Sequence, residues 1–314
     1  MSERRSTKRM KRERALVTSA ASGLGRLLCR RLHRSLDVIA VDTRPFPDRP
    51  KDVEHHQFDL RRKAATQLLK KKRADVVVHI SSIHLAPASG RASSRLVEAT
   101  VQMLKLVEQT GARKLVLVSS ATLYGPSATS ASFLSEEAPL LGAGAVPDLA
   151  DAISIDMMVQ SFFWKRPETE TVILRPVHVV GPHLDNLATR YLKAPRAPTL
   201  LGFDPMIQIV HEEDVVDAVQ RASAPGVRGV FNVVGQSQAP LSRLLAARGT
   251  AALPVPGPLL KAALSRASSW RLTPIDAGEL AFLRYSFLVD GQRAVDELGF
   301  EPQRSLRETL ADLS

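Results

Sequence analysis

Short β-rich apolar runs recur along the chain with helix-patterned segments between them, and this alternation constrains the fold more than any other feature. The runs are ALVTSA (Ala15 to Ala20), DVIAVD (Asp37 to Asp42), ADVVVHI (Ala74 to Ile80), KLVLVSS (Lys114 to Ser120) and VILRP (Val172 to Pro176). The amphipathic stretch GRLLCRRLHRSL follows the first, and RLVEATVQMLKLVEQT with a Gly111 stop precedes the fourth. Strands that read apolar on both faces, separated by helical segments, imply a parallel sheet covered on both sides. The expected class is therefore α/β, a doubly wound parallel sheet with a smaller C-terminal α/β lobe. Its boundaries fall at residues 1–14 for a tail, 15–181 for the sheet domain, and mainly 182–314 for the lobe.

Charge separates the tail from the rest. Residues 1–73 hold 21 Lys and Arg against 8 Asp and Glu, whereas the remaining residues hold 22 against 24. MSERRSTKRMKRER has no apolar period and reads as a disordered basic tail. Further clusters stand at Arg26/Arg30/Arg31/Arg34 and Lys70/Lys71/Lys72/Arg73. Such clusters attract phosphates, but no nucleic-acid module or interleaved aromatics accompany them, so nucleic acid is not the expected partner. The single Cys29 suits a reducing compartment, most simply the cytoplasm. No apolar run reaches the roughly 18 residues of a membrane span.

Chemistry first appears in TSAASGLG (Thr18 to Gly25), where a strand gives way to a helix. Gly23 and Gly25, with Ser22 and Leu24, stand where backbone must approach a pyrophosphate at the helix N-terminus. Ser19 takes the place of a first glycine and fits the turn if its φ stays negative. Asp42, some 17 residues beyond Gly25, ends the second strand in position to accept hydrogen bonds from a ribose 2′-hydroxyl. A carboxylate there favours NAD over NADP, while Arg44 keeps NADP open. The competing reading is a plain tight turn followed by an acidic strand end.

Together these and later motifs resemble the extended short-chain dehydrogenase/reductase family, also called the NAD-dependent epimerase/dehydratase family, from about Ala15 to Leu313. Asp59 with Leu60 resembles its adenine-side acid. VVVHISS resembles the strand under the cofactor, with Ser81 and Ser82 replacing a small apolar pair. VSSATLYGP, SEEAPL, LRPVHVVGP, VHEEDVVDAV, GVFNVVG and ELGFEPQRSL match further family markers in order. The similarity is greatest to a bacterial UDP-glucose 4-epimerase-like subgroup with an incomplete active site. It implies a Rossmann-type fold, a dinucleotide cofactor, Pro176 beside the nicotinamide, a nucleotide-sugar or other polyol substrate, and leaves a homodimer open.

Against that pattern the chain departs at its chemical centre. Aligned on VILRP, PDLADAISIDMMVQ puts Ala152 at the family's tyrosine and Asp156 at its lysine. The tyrosine moves a proton during hydride transfer and the lysine lowers its pKa; alanine carries no proton and aspartate has the wrong charge. Ser120 retains the family's substrate-orienting serine role. Tyr124 and His178 are the candidate stand-ins for the proton, each competing with a purely structural role. Ile207, in PMIQIVH, replaces the arginine that would clamp a diphosphate. VHEED is expected to cap a helix beginning near Val215 rather than to bind metal, because only His211 is present there. His55/His56 and His79/His84 also lack ligand spacing. Two functions follow: a NAD(H)-dependent epimerase/dehydratase-like protein with a non-standard active site, or an inactive dinucleotide-binding scaffold or sensor.

Overall fold

The computed structural model describes residues 12–81, 90–128, 133–269 and 279–313. In chain order the first half comprises β1 (Arg14–Thr18), α1 (Gly23–Leu32), β2 (Asp37–Asp42), β3 (Glu54–Gln57), α2 (Lys63–Lys72), β4 (Val76–Ile80), α3 (Gly90–Thr110) and β5 (Lys114–Val118). There follow α4 (Ala150–Lys165), β6 (Glu170–Pro176), β7 (His178–Val180), α5 (Leu187–Lys193), β8 (Arg196–Leu200), β9 (Met206–His211), α6 (Glu212–Ala222) and β10 (Gly229–Val233). β11 (Gln238–Pro240), α7 (Leu241–Arg248), β12 (Ala251–Val255), α8 (Gly257–Ser269), α9 (Leu280–Arg284), α10 (Gln292–Leu298) and α11 (Leu306–Ala311) complete it.

Seven strands form the main sheet in the order β10-β6-β5-β4-β1-β2-β3, and every pairing in it is parallel. Alternate strand residues point to opposite faces, so each run supplies two cores. Val17, Ala40, Val78, Val116 and Leu174 join Leu24 and Leu28 of α1 and Val215 and Val219 of α6 on one side. Leu16, Ile39, Val77, Leu117 and Ile173 join Met103 of α3 and Ile155 and Val159 of α4 on the other. This double burial explains why the strands read as unbroken apolar runs. The strand order reverses between β1 and β4, which opens a crevice beyond the carboxyl ends of those strands.

The C-terminal half contributes smaller sheets, β11-β9-β7 and β12-β8, over a third apolar cluster that includes Ile207, Leu244 and Leu264. β10 instead returns to the main sheet beside β6. Between β5 and α4 the chain forms short 3₁₀ turns at Gly142–Gly144 and Pro147–Leu149.

Ordered packing starts earlier than residue 15. β1 begins at Arg14, and the Glu13 carboxylate accepts from Arg113 Nε at 2.7 Å; Met1 to Lys11 lie outside the described residues. Much of the basic surface is paired: Arg30 with Asp48, Arg31 with Glu213 and Lys72 with Glu54. α6 also begins earlier than expected, at Glu212, with the His211 ring as its N-cap, accepting from the Glu213 amide. The three acids Glu212, Glu213 and Asp214 thus fill its first turn, where the helix dipole favours negative charge.

Candidate functional site

The residues singled out from sequence gather at the carboxyl edge of the main sheet. Ser19, Ser22, Gly23, Leu24 and Gly25 follow β1; Asp42 closes β2 and Arg44 follows it; Asp59 and Leu60 follow β3; Ser81 follows β4; Ser120 follows β5; Pro176 closes β6 and His178 opens β7. Ser82 lies outside the described residues.

The turn after β1 is held by its own side chains. Ser22 caps α1, its Oγ accepting from the Gly25 amide at 3.0 Å and donating to the Ser19 carbonyl at 2.7 Å. Ser19 has φ +51° rather than the negative value expected of a serine there. The left-handed backbone that glycine adopts freely is therefore kept, and Ser19 Oγ donates to the Ile80 carbonyl at 3.2 Å, tying the ends of β1 and β4 together. At Gly25 a Cβ would fall 2.3 Å from the Ser19 carbonyl oxygen, so glycine is required for the turn to close on itself. Gly23 has a different neighbour from the one anticipated. A Cβ there would lie 2.1 Å from the His183 carbonyl oxygen, so its bareness admits the segment after β7. That segment is anchored by Glu212, whose carboxylate accepts from the His183 amide at 3.2 Å and is paired with its ring. Burial raises the Glu212 pKa against the opposing pull of His183.

Asp42 is buried with its acceptors in use. Oδ2 accepts from the Ala21 amide at 2.9 Å and Arg44 Nη2 at 3.1 Å; Oδ1 accepts from the Arg44 amide at 2.9 Å and Nε at 3.1 Å. Burial alone would raise its pKa, but the hydrogen bonds and charge of Arg44, with the Ala21 amide, hold it below the usual value. Asp59 is gripped in the same i,i+2 manner by Arg61, which likewise lowers its pKa.

Where the family's lysine was aligned, Asp156 is completely buried and forms a fork with Arg175: Nη2 to Oδ1 is 2.7 Å and Nε to Oδ2 is 3.1 Å. Ser119 Oγ donates to Oδ2 at 2.6 Å and Gln160 Nε2 to Oδ1 at 2.7 Å. Arg175 Nη1 also donates to the Tyr124 hydroxyl at 2.8 Å, and that hydroxyl donates to Asn232 Oδ1 at 2.9 Å. Ala152 packs with Leu123, Val146 and Leu149 in an apolar cluster against which Phe282 lies. The sequence reading missed Arg175, Ser119 and Gln160. Their signal was an arginine inside an otherwise buried strand, which demands an acid.

The candidate proton carriers sit unfavourably for that work. Burial pushes the Tyr124 pKa up to about 12, despite the opposing Arg175 charge, and its proton is committed to Asn232. His178 packs edge-on between Phe282 at 5.5 Å and Phe287 at 6.4 Å, and burial lowers its pKa to about 4. It is a neutral, weak base near pH 7. Ser120 Oγ pairs with Thr122 Oγ1 at 2.8 Å and caps the 3₁₀ turn Ala121–Tyr124. Ile207, at the position aligned with the diphosphate-clamping arginine, is buried in the lobe's apolar cluster.

Comparison with known proteins places this geometry. A model described as the NAD dependent epimerase/dehydratase family matches residues 15–233. An uncharacterized protein of Mycobacterium tuberculosis (strain ATCC 25618 / H37Rv) is 29% identical over 309 residues, covering 95% of this chain and 82% of the relative. UDP-glucose 4-epimerase 2 of Oryza sativa subsp. japonica is 28% identical over 141 residues, 43% of this chain and 34% of the relative. Among solved structures, MoeE5 in complex with UDP-glucuronic acid and NAD is similar with a TM-score of 0.75 at 22% identity, covering 95% of this chain and 96% of that one. The UDP-glucose 4-epimerase of Thermus thermophilus in complex with NAD gives 0.74 at 19% identity, covering 96% and 98%. At these identities the structural likeness is one of fold.

Proposed function

The chain belongs to the NAD dependent epimerase/dehydratase family, and we propose that it is a NAD(H)-binding member in which a buried ion pair has replaced the proton relay, so that it serves as a dinucleotide-binding scaffold or sensor. The observation that carries this reading is Asp156. A carboxylate with no exposed surface, held by Arg175, Ser119 and Gln160, is a structural anchor and has no means of lowering the pKa of a neighbouring phenol. Ala152 has no phenol to lower.

A dinucleotide suits the residues present. The glycine-dependent turn after β1 leads into a helix N-terminus, which favours a diphosphate, and Asp42 at the next strand end would accept from a ribose hydroxyl in place of the Arg44 side chain. The turn, α1 and Asp42 would hold it, with Ser81 at the end of β4 and Asp59 beyond β3 on the adenine side. A bound nicotinamide would bring the capacity for hydride transfer, and the chain's own residues would position the dinucleotide. Solved neighbours described as complexes with NAD support the same cofactor. A UDP-sugar is the weaker candidate for the second ligand, because Ile207 brings no cation to a diphosphate.

Calorimetric titration of NADH tests the proposal. Binding by the wild-type protein is expected, weakened about tenfold or more in Asp42→Ala, since a hydrogen bond to a charged group contributes roughly 1.5–3 kcal/mol. Absence of binding, or an Asp42→Ala affinity equal to wild type, contradicts it.

A further inference from the structure

Because every pairing in the main sheet is parallel, its strands all begin at one edge and end at the crevice on the other. Along the four neighbouring strands β4-β1-β2-β3, the amino edge carries six exposed cations: Arg12 before β1, Arg34 before β2, Lys51 before β3, and Lys70, Lys71 and Arg73 before β4. Adjacent strands lie about 4.8 Å apart, so the row is only roughly 15 Å wide. None of the six has an ion-pair partner among the described residues. The nearby carboxylates are engaged elsewhere: Glu13 pairs with Arg113, Asp52 with His33 and Glu54 with Lys72, while Asp75 accepts from the Arg14 amide at 2.8 Å. Only Asp37, exposed at the start of β2, opposes the row without a partner among the described residues. Arg14 joins the two ends of the row, since its Nη1 donates to the Lys72 carbonyl at 2.6 Å and fixes the end of α2 beside β1. Residues 1–11, which reach this edge through Arg12, add five Lys and Arg against one Glu.

The C-terminus of a helix carries roughly half a negative charge, so four cations at the end of α2, Lys70 to Arg73, exceed what its dipole neutralises. The surplus faces solvent. We propose that this amino edge docks the protein on an anionic phospholipid surface. Charge complementarity calls for a polyanion, and two observations favour lipid headgroups over nucleic acid. No large exposed apolar or aromatic side chain among the described residues lies on this edge, so bases have no platform on which to stack. The helices α1 and α2 meet the edge end-on, by their C-termini, and so present no helix to a groove. A row of exposed Lys and Arg with a polybasic segment attached is instead what anionic headgroups attract, at about fivefold in affinity for each cation brought to the surface. The crevice opens at the other end of the same strands, so docking in this way leaves it facing the solvent.

The test is co-sedimentation of the full chain with vesicles of phosphatidylcholine alone or mixed in equal parts with phosphatidylserine. Binding is expected to the mixed vesicles only, and to be strong at roughly 0.05 M salt and lost at roughly 0.5 M, where the screening length shrinks to a few ångströms. The variant Lys70→Ala/Lys71→Ala/Arg73→Ala should lower the partition coefficient by at least about tenfold. The same loss is expected when the triple change is made in a chain lacking residues 1–11, because the folded edge contributes independently of the tail. Lys193→Ala/Arg243→Ala/Lys261→Ala removes equal charge from exposed positions of the lobe and should bind within about twofold of wild type. Melting temperatures verify that each variant folds. The proposal is overturned if wild type ignores phosphatidylserine, if the edge variant binds as wild type does, or if the lobe variant loses as much as the edge variant. Release of the protein from mixed vesicles by an equal phosphate concentration of double-stranded DNA would overturn it as well, and assign the edge to nucleic acid.

Discussion

Arg175 of β6 and Asp156 of α4 form a two-pronged ion pair at 2.7 and 3.1 Å, with side-chain exposures of 1% and 0%. Nineteen residues apart in sequence, they meet because α4 lies against the sheet face to which β6 belongs. Removing one partner of such a pair leaves an uncompensated buried charge, which costs about 3–5 kcal/mol, whereas replacing both with apolar side chains of similar volume is often neutral. Asp156→Asn is therefore expected to lower the urea unfolding free energy by that amount. The double substitution Asp156→Leu/Arg175→Met should be less damaging than either single change. A single variant within about 1 kcal/mol of wild type would show that the pair is not what holds α4 to β6.

A second prediction concerns acid. His79 Nδ1 lies 2.8 Å from Thr18 Oγ1 and Nε2 lies 2.9 Å from Thr100 Oγ1. Thr100 donates its proton to the Leu96 carbonyl, so it accepts from Nε2–H and leaves Nδ1 as the acceptor for Thr18. The neutral ring fits this arrangement, and burial lowers its pKa from 6.5 to about 4. The unfolded chain takes up a proton near pH 6.5 while the folded chain resists until about pH 4. The stability from this group is thus complete above about pH 6.5 and lost as pH falls through that window, amounting to roughly 3 kcal/mol. His178, lowered to about 4 for the same reason, adds in the same direction. Urea midpoints from pH 7.5 to 4.5 should decline in wild type and decline less in His79→Asn. Parallel curves for the two proteins contradict the assignment.

Glycines of the chain differ in whether the packing around them needs them bare. Gly23→Ala would set a Cβ 2.1 Å from the His183 carbonyl oxygen, whereas at Gly144 nothing lies within 4 Å. Overpacking of this kind costs typically 1–3 kcal/mol. We expect Gly23→Ala to lower the melting temperature by several degrees and Gly144→Ala to leave it within error. Equal effects would mean that the segment after β7 does not rest on this turn.

What could be read in the sequence was whatever depends on near neighbours. The strands were legible because both faces of β1, β2, β4, β5 and β6 are buried, and Asp42 was legible because a strand end fixes where its carboxylate goes. Arg44 was read as the residue that keeps NADP open, but its engagement with Asp42 depends on a side-chain torsion that no pattern encodes. The Asp156 pair escaped because its partner comes from another element. Aligned against a lysine, the aspartate read as a loss of function, while the packing makes it one half of a buried ion pair. Ser19 was assigned a negative φ from the preferences of serine; closure of the turn and its bond to Ile80 override that preference. The start of α6 was misjudged by three residues because His211, not an Asp or Ser, is the cap.

The central claim, a dinucleotide-binding member of an epimerase/dehydratase family without its proton relay, is tested most directly by one rate. Purified protein, saturated with NAD as judged by calorimetry, is incubated with UDP-glucose and the formation of UDP-galactose is followed. Loss of a general acid and base alone lowers the chemical step by about 10²–10⁴, so the account predicts turnover at least a hundredfold below the ordinary range. A rate of about 1 to 10³ per second would contradict it.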